Sequence, residues 1–256
     1  MRLSQVAAQL YTLRDHLKTP SDIAQSMKKV KTMGYDAVQI SGMGPIDEKE
    51  LMTILNGEGL ACCATHESGQ SILDTPEKVV ERLNKLGCLY TAYPYPAGTS
   101  LNSLDEVKAF TARLDHAGKV LREAGQVLTY HNHAIEFRRV EGQLILDLIY
   151  QQTDPKNLLG EIDTYWVQAG GGDSTAWCLR LKDRLPLLHL KDYGMDKDSK
   201  PVTSEIGLGN LDFKSIIPAA ERSGCLWFIV EQDQCPGDPF DSLSKSFQYI
   251  KNNLCS

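Results

Sequence analysis

The sequence predicts a single (β/α)8 barrel spanning residues 1–256. Three observations predict it. Short apolar strand-like runs alternate with helical stretches, and the pair recurs eight times along the chain, as in a parallel sheet covered by helices. The length of 256 residues is that of one such barrel. Finally, no G-x-G-x-x-G follows the first strand and no G-x-x-x-x-G-K occurs, so the usual nucleotide signatures of the competing doubly wound sheet are missing.

The elements follow in order. Residues 3–10 read as strand one, with Gln9, Tyr11 and Arg14 at its end. Thr19-Pro20-Ser21-Asp22 supplies a cap with proline near the first turn, residues 23–33 keep helical spacing, and Gly34 stops them. Residues 36–40 form strand two, and a glycine-rich loop leads to a helix over 47–56. Strand three covers 60–66 and closes on Thr65-His66-Glu67; Thr75-Pro76-Glu77 then caps a helix that Gly87 ends. Strand four is 88–93, its loop carrying Tyr93-Pro94-Tyr95-Pro96. A long helix over 104–124 precedes strand five, 126–131. Residues 144–151 are helical, 158–163 are strand six, and Gly170-Gly171-Gly172-Asp173-Ser174 forms a loop and cap before a helix over 175–181. Strand seven is 186–192, a polar loop fills 193–210, and a helix over 211–223, strand eight over 225–231 and a helix over 240–252 complete the chain.

Composition narrows the function. The chain is 42% hydrophobic and 23% charged, as globular domains are. A net charge of −6 with a pI near 5.5 leaves no basic footprint for nucleic acid. The seven cysteines match no zinc or redox spacing and read as reduced thiols of a cytoplasmic protein. The N-terminus alternates like a strand rather than a signal peptide. No apolar run approaches the roughly 20 residues that cross a bilayer, so no membrane partner is expected.

In such barrels the reacting groups come from the C-terminal ends of several strands. Those ends read Gln9; His66 and Glu67; Tyr93; His131, His133 and Glu136; Glu161 and Asp163; His189 and Lys191; Glu231 and Asp233. Residues two apart on a strand share a face. Asp163, His189 and Glu231 can therefore converge on one interior point, joined by a carboxylate or an imidazole from strand five. Taken singly, each has a plainer reading: a hydrogen-bonded histidine, an Asp that caps a turn, a Lys191–Asp192 surface pair. Several strand ends carrying such groups at once point to a shared metal site. An oxygen-rich set with imidazole suits Mn²⁺, Mg²⁺ or Co²⁺, and also Zn²⁺. His131-Asn132-His133 is not the nuclease motif of similar letters, since its residues are consecutive on one strand.

The strings Y-H-N-H-A-I-E-F (130–137), E-I-D-T-Y-W-V-Q-A-G-G (161–171), L-L-H-L-K-D-Y (187–193), E-I-G-L-G-N-L-D-F (205–213) and V-E-Q-D (230–233) resemble the sugar phosphate isomerase/epimerase family of xylose isomerase-like TIM barrels. The resemblance runs over nearly the whole chain. It implies a divalent metal, Mn²⁺ first, held by strands five to eight: Asp163, His189 and Glu231, with Glu136 as the fourth ligand and His131 or His133 as the alternative. Glu136 and Glu231 are the expected acid/base carboxylates of a sugar isomerase or epimerase that removes a proton beside a carbonyl through a metal-stabilised ene-diolate. His66, His131, His133, Lys191 and Trp166 are expected to bind the small sugar substrate, and Glu205 either to close the pocket or to face solvent from its loop. A lyase acting on an inosose or a 3-keto-glycoside is the alternative. Endonuclease IV-like phosphodiester cleavage and a non-catalytic sugar-binding barrel are weaker ones. Barrels of this kind often pair, so a homo-oligomer is open.

Overall fold

The computed structural model describes residues 1–255; Ser256, the end of the expected domain, lies outside the described residues. Eight parallel strands close into a barrel in chain order: β1 (Val6–Gln9), β2 (Ala37–Ile40), β3 (Ala61–His66), β4 (Tyr90–Tyr93), β5 (Val127–His131), β6 (Leu158–Asp163), β7 (Leu187–Leu190) and β8 (Trp227–Val230), with β8 beside β1. The main covering helices are α1 (Pro20–Met33), α2 (Glu48–Glu58), α3 (Pro76–Lys85), α4 (Leu104–Glu123), α5 (Ile145–Gln151), α6 (Ser174–Arg180), α7 (Phe213–Arg222) and α8 (Pro239–Asn253). The (β/α)8 expectation holds.

Local chemistry sets the helix boundaries. Thr19 and Ser103 form capping boxes with Asp22 and Glu106, so orphan N–H groups at the starts of α1 and α4 are satisfied reciprocally. Gly34 ends α1 at φ +112°, where a Cβ would also strike the Phe247 ring.

Some elements differ from expectation. Strand one is shorter, because residues Leu3–Gln5 form a 3-10 turn before it. Two short helices, Gly69–Asp74 and Thr164–Ala169, lie in stretches for which the sequence predicts no element. Each is six residues long, too short to show a helical period. The polar 193–210 loop contains a hairpin, Asp192–Met195 paired with Pro201–Ser204, and another hairpin pairs Arg139–Val140 with Gln143–Leu144. The second turns through Glu141 and Gly142, both at positive φ, as a tight two-residue turn requires.

The barrel lumen is layered. At its lower end Ala7, Ala37, Cys63, Ala64, Leu187 and Ile229 pack into a small apolar cluster of their own. Two residues further along β1, β2, β7 and β8, the same inward face presents Gln9, Gln39, His189 and Glu231. The two-residue period thus carries each of these strands from apolar to polar on one face. The lower layer seals the barrel, and the upper layer is the site.

Candidate active site

Strand register brings the groups together. His131 is level with Glu161 across the β5–β6 pair, and Asp163 is level with His189 across β6–β7. His131 therefore sits beside two carboxylates and His189 beside three, at different heights. His131 Nδ1 is 3.4 Å from Glu161 Oε2, and its Nε2 is 3.8 Å from Asp163 Oδ2. His189 Nδ1 is 3.0 Å from Glu231 Oε2 and 3.8 Å from Asp163 Oδ2; its Nε2 is 2.7 Å from Gln39 Oε1. Above them Lys191 Nζ reaches Asp233 at 2.6 Å, Glu231 at 3.0 Å and Asp163 at 3.4 Å.

Two overlapping quartets have their ligand atoms within 4.8 Å of one another: His131, Asp163, His189 and Glu231, and below it His66, His131, Glu161 and His189. Only the upper one suits a cation. Asp163 Oδ1 caps the Thr164–Ala169 helix by accepting from the Trp166 N–H at 2.9 Å, which leaves the buried Oδ2 without a hydrogen-bond partner. An orphaned carboxylate oxygen facing two imidazole nitrogens is a defect in a core and an asset in a metal site. In the lower quartet both carboxylate oxygens of Glu161 are partnered, although His131 Nδ1 is not: His66 meets Oε2 at 2.7 Å, and Gln39 donates to Oε1 at 2.6 Å while accepting at its own oxygen.

The protonation states agree with this division. Burial, helped by the neighbouring His189, pulls His131 down to about 3, so it is neutral and able to ligate. Burial opposes charge on Glu161 as well, but the surrounding imidazoles, His189 and His66 first, hold its carboxyl well below the usual range. Glu231 is held low against burial by Lys191 and His189. Burial pushes Asp163 up to about 7 despite Lys191 and His189. Burial disfavours charge on His189, yet Glu161 and Glu231 lift it to about 10. Lys191 is likewise raised against burial by Asp163, Glu231 and Asp233. The upper quartet thus sets an ionised Glu231 beside a protonated His189, with a neutral His131 and an Asp163 lifted to about 7, and a bound cation would replace a proton there.

Glu136, expected as the fourth ligand and as an acid/base carboxylate, is not brought to this cluster. β5 ends at His131, and the chain turns through residues 132–134 into a 3-10 turn, Ile135–Phe137. The Glu136 carboxylate accepts from the Tyr130 hydroxyl at 2.8 Å and from the His133 N–H at 2.7 Å. Tyr130 neighbours His131 on the strand, so its side chain points away from the lumen, toward the helices. It stacks on Tyr93 and meets Phe110 of α4 edge-on, and it holds Glu136 on that side of the barrel wall. His131 takes the strand-five place in the quartet.

The other expected residues line one cavity. A cavity of about 480 Å³ opens above the quartet, lined by His66, His131, His133, Trp166, Lys191 and Glu231, with Asp233, Arg14, Tyr11 and Tyr95 among the rest. His133 follows the strand end and sits between Tyr95 and Trp166, their ring centres at 4.9 and 5.1 Å. Burial, then His131, lowers it to about 2. Buried ring nitrogens of His133 (Nδ1) and Trp166 (Nε1) are without partners in this wall. Arg14 donates to the main-chain oxygens of Tyr11 and Asp233, which fixes its guanidinium at the cavity edge.

Glu205 does not close the pocket. It is buried against α8, accepting from Ser242 Oγ at 3.1 Å. The G-x-G that follows wraps a different carboxylate: Asp192 accepts from the N–H groups of Gly207 (2.9 Å), Gly209 (3.0 Å) and Leu211 (3.2 Å). A Cβ on Gly209 would collide with that carboxylate. Sequence reasoning gave no role to Gln9, Gln39 or Glu161. The signal that could have found them was an uncharged or anionic polar residue inside an otherwise apolar strand, two positions from a seal residue or a ligand.

Comparison with known proteins agrees with the fold. The profile of the xylose isomerase-like TIM barrel matches residues 27–253. Inosose dehydratase of Lactiplantibacillus plantarum is 24% identical, the alignment covering 91% of this chain and 89% of that one. The match to inosose dehydratase of Geobacillus thermodenitrificans is 26% identical over 54% of this chain, and spans only about half, 51%, of that relative. Among solved structures, a sugar phosphate isomerase/epimerase from Parabacteroides distasonis superposes with a TM-score of 0.84 at 23% identity, covering 97% and 98% of the two chains. An L-ribulose 3-epimerase does so at 0.72 and 14%, covering 98% and 94%. A xylose isomerase-like barrel protein from Mycobacterium smegmatis in complex with magnesium gives 0.75 and 13%, covering 98% and 97%. The chain belongs to the xylose isomerase-like TIM barrel family.

Proposed function

We propose that this chain is a divalent-metal-dependent lyase that removes water from a keto-polyol or keto-sugar, by abstracting a proton beside the carbonyl. The observation that carries the reading is the inventory of the cavity: an ionised Glu231, a charged Lys191 beside it, and no Glu136. One base and one acid suffice for an elimination, whereas epimerisation through two opposed carboxylates lacks its second carboxylate here. The inosose dehydratases among the relatives support the same choice.

His131, Asp163, His189 and Glu231 would hold the ion, Mn²⁺ first by the chemistry of two carboxylates and two imidazoles, with Mg²⁺, Co²⁺ and Zn²⁺ as alternatives. When bound, the ion supplies Lewis-acid stabilisation of negative charge developing on the substrate oxygens. The chain's own residues do the rest. Glu231 takes the proton from the carbon next to the carbonyl. Lys191 Nζ, 3.0 Å from Glu231, donates a proton to the hydroxyl that departs from the adjacent carbon, so the products are an enone and water. Lys191 is 1% exposed, and the dry setting keeps its charge close to the reacting atoms. His66 and His133 bind hydroxyls, and Trp166 offers a flat wall to the carbon skeleton.

One observation favours the second reading, isomerisation or epimerisation. His66, on β3, brings an imidazole into the cavity from strands away from Glu231, and it could return a proton to the other face. The two readings separate in deuterated water with added Mn²⁺ and a panel of inososes and ketoses. Loss of one water from the substrate supports the lyase. Carbon-bound deuterium at unchanged composition identifies the epimerase, and no exchange and no water loss on any substrate overturns both.

A further inference from the structure

We infer that the substrate carries a carboxylate at the end remote from its reacting carbons, and that Arg14 is the specificity-determining residue that selects it. That the remainder is a keto-sugar or keto-polyol rests on the reading proposed above.

Besides its histidines the cavity is lined by two basic side chains, Lys191 and Arg14, and their charges are met differently. Lys191 is committed: Asp233, Glu231 and Asp163 surround its Nζ at 2.6, 3.0 and 3.4 Å. Arg14 stands half-buried on the 3-10 turn Leu10–His16 that follows β1, and its partners are neutral. Nη1 donates to the main-chain oxygen of Tyr11 at 3.0 Å and Nη2 to that of Asp233 at 2.9 Å, and among the described residues no carboxylate pairs with it. Arginines elsewhere in the chain are matched: Arg82 holds Glu48 and Glu67, and Arg180 holds Asp147. Asp233 divides the two cations of the cavity. Its carboxylate goes to Lys191 and its carbonyl to Arg14, so the acid that could have neutralised the guanidinium is held next door. A guanidinium has five N–H donors, and two carbonyls leave three of them for a ligand.

The guanidinium is also fixed before any ligand arrives. It lies over the Tyr11 ring, 4.5 Å from its centre. Gly42, in the loop after β2, packs against this pair: a Cβ there would come within 2.6 Å of the Tyr11 ring and 3.3 Å of Arg14 Cβ. A planar fork held in this way meets a carboxylate through two parallel hydrogen bonds with little ordering left to do. Room for the group exists, because Arg14 borders both the site cavity and a neighbouring one of about 300 Å³, with Asp233 and Gln234 common to the two. A phosphate dianion fits less well. It would set a second negative charge against a single arginine, with Asp233 and Glu231 lining the same cavity.

The test is calorimetry on the full chain in the presence of Mn²⁺, with three ligands that differ only at C6: D-fructose, D-fructuronate and D-fructose 6-phosphate. Wild type should bind D-fructuronate about 10–100-fold more tightly than D-fructose, as charge-assisted hydrogen bonds imply, and more tightly than the phosphate. In Arg14→Gln the ratio of the D-fructuronate and D-fructose affinities should fall to near one. Arg14→Lys keeps the charge without the fork and should retain part of the preference; it reads the same ratio if Arg14→Gln does not fold. No carboxylate preference in wild type, tighter binding of the phosphate, or a preference that survives in Arg14→Gln overturns the proposal. The lyase reading stands or falls separately. An Arg14-dependent carboxylate preference with no water lost from any substrate leaves this assignment in place and removes the elimination. Water lost from neutral inososes with no such preference does the reverse.

Discussion

Glu136 and Glu161 are both buried glutamates near the end of the same pair of strands, and they behave in opposite ways. Glu161 faces the lumen, where amide and imidazole donors surround it and hold its carboxyl well below the usual range. Glu136 lies on the helix side of the wall, where burial outweighs its two hydrogen bonds, from Tyr130 and His133, and lifts it to about 7. Burial alone does not fix the charge of a carboxylate; the donors aimed at it do. Nor does closeness in sequence to a ligand make a residue part of a site. Glu136 is five positions from His131, yet one step of the strand alternation, at Tyr130, decides which side of the barrel it serves.

The strongest way to sharpen this contrast is to remove a lumen carboxylate. Asp163→Ala should abolish Mn²⁺ binding and lower kcat/KM by at least about a thousandfold, as expected when metal stabilisation worth several kcal/mol is lost. Retained turnover would detach the quartet from the reaction. Glu136 should tell the other half of the story through stability. Its carboxyl stays protonated in the folded chain up to about pH 7, whereas in the unfolded chain it ionises near 4.3. Between those values the folded state binds the extra proton, so its contribution to stability is present at low pH and is lost as pH rises through 7. That loss comes to about 4 kcal/mol. Glu136→Gln should therefore gain in Tm over wild type as the pH goes from 5 to 8. A constant difference across that range would contradict the burial assignment.

Lys191→Met separates acid from ligand. Turnover should drop about a hundredfold with the acid gone, while Mn²⁺ binds no more weakly, because a positive charge beside Glu231 and Asp163 has been taken away. Weaker Mn²⁺ binding would mean that Lys191 organises the quartet rather than serving the substrate. The smallest effect belongs to Glu205→Gln. Its packing against Ser242 and Lys245 predicts a stability change of about 1 kcal/mol or less, with Mn²⁺ affinity untouched. A shift in affinity would return Glu205 to the cavity.

Much of the barrel was readable from residues alone, because capped helices and apolar runs repeat with little ambiguity. Thr19-Pro20 and Ser103 begin helices where the letters say they should. The short helices after His66 and Asp163 were not readable, since one and a half turns leave no period to detect. In the site, His189 and Glu231 were legible because they stand two positions from apolar strand residues, Leu187 and Ile229, and Asp163 because it ends a strand. Glu136 misled because its distance along the chain hid the exit from the strand at His131. Glu161 and Gln39 stayed without a role because their partners come from β1, β2, β3 and β7, which only the closed barrel brings together.

The contrast between the two sides of the barrel wall is tested most directly by counting bound Mn²⁺ per chain in His131→Gln and Glu136→Gln beside wild type. One ion should bind to wild type and to Glu136→Gln with equal affinity, and binding should fall at least tenfold in His131→Gln. Loss of the ion in Glu136→Gln with full binding in His131→Gln would place the fourth ligand on the other side of the wall.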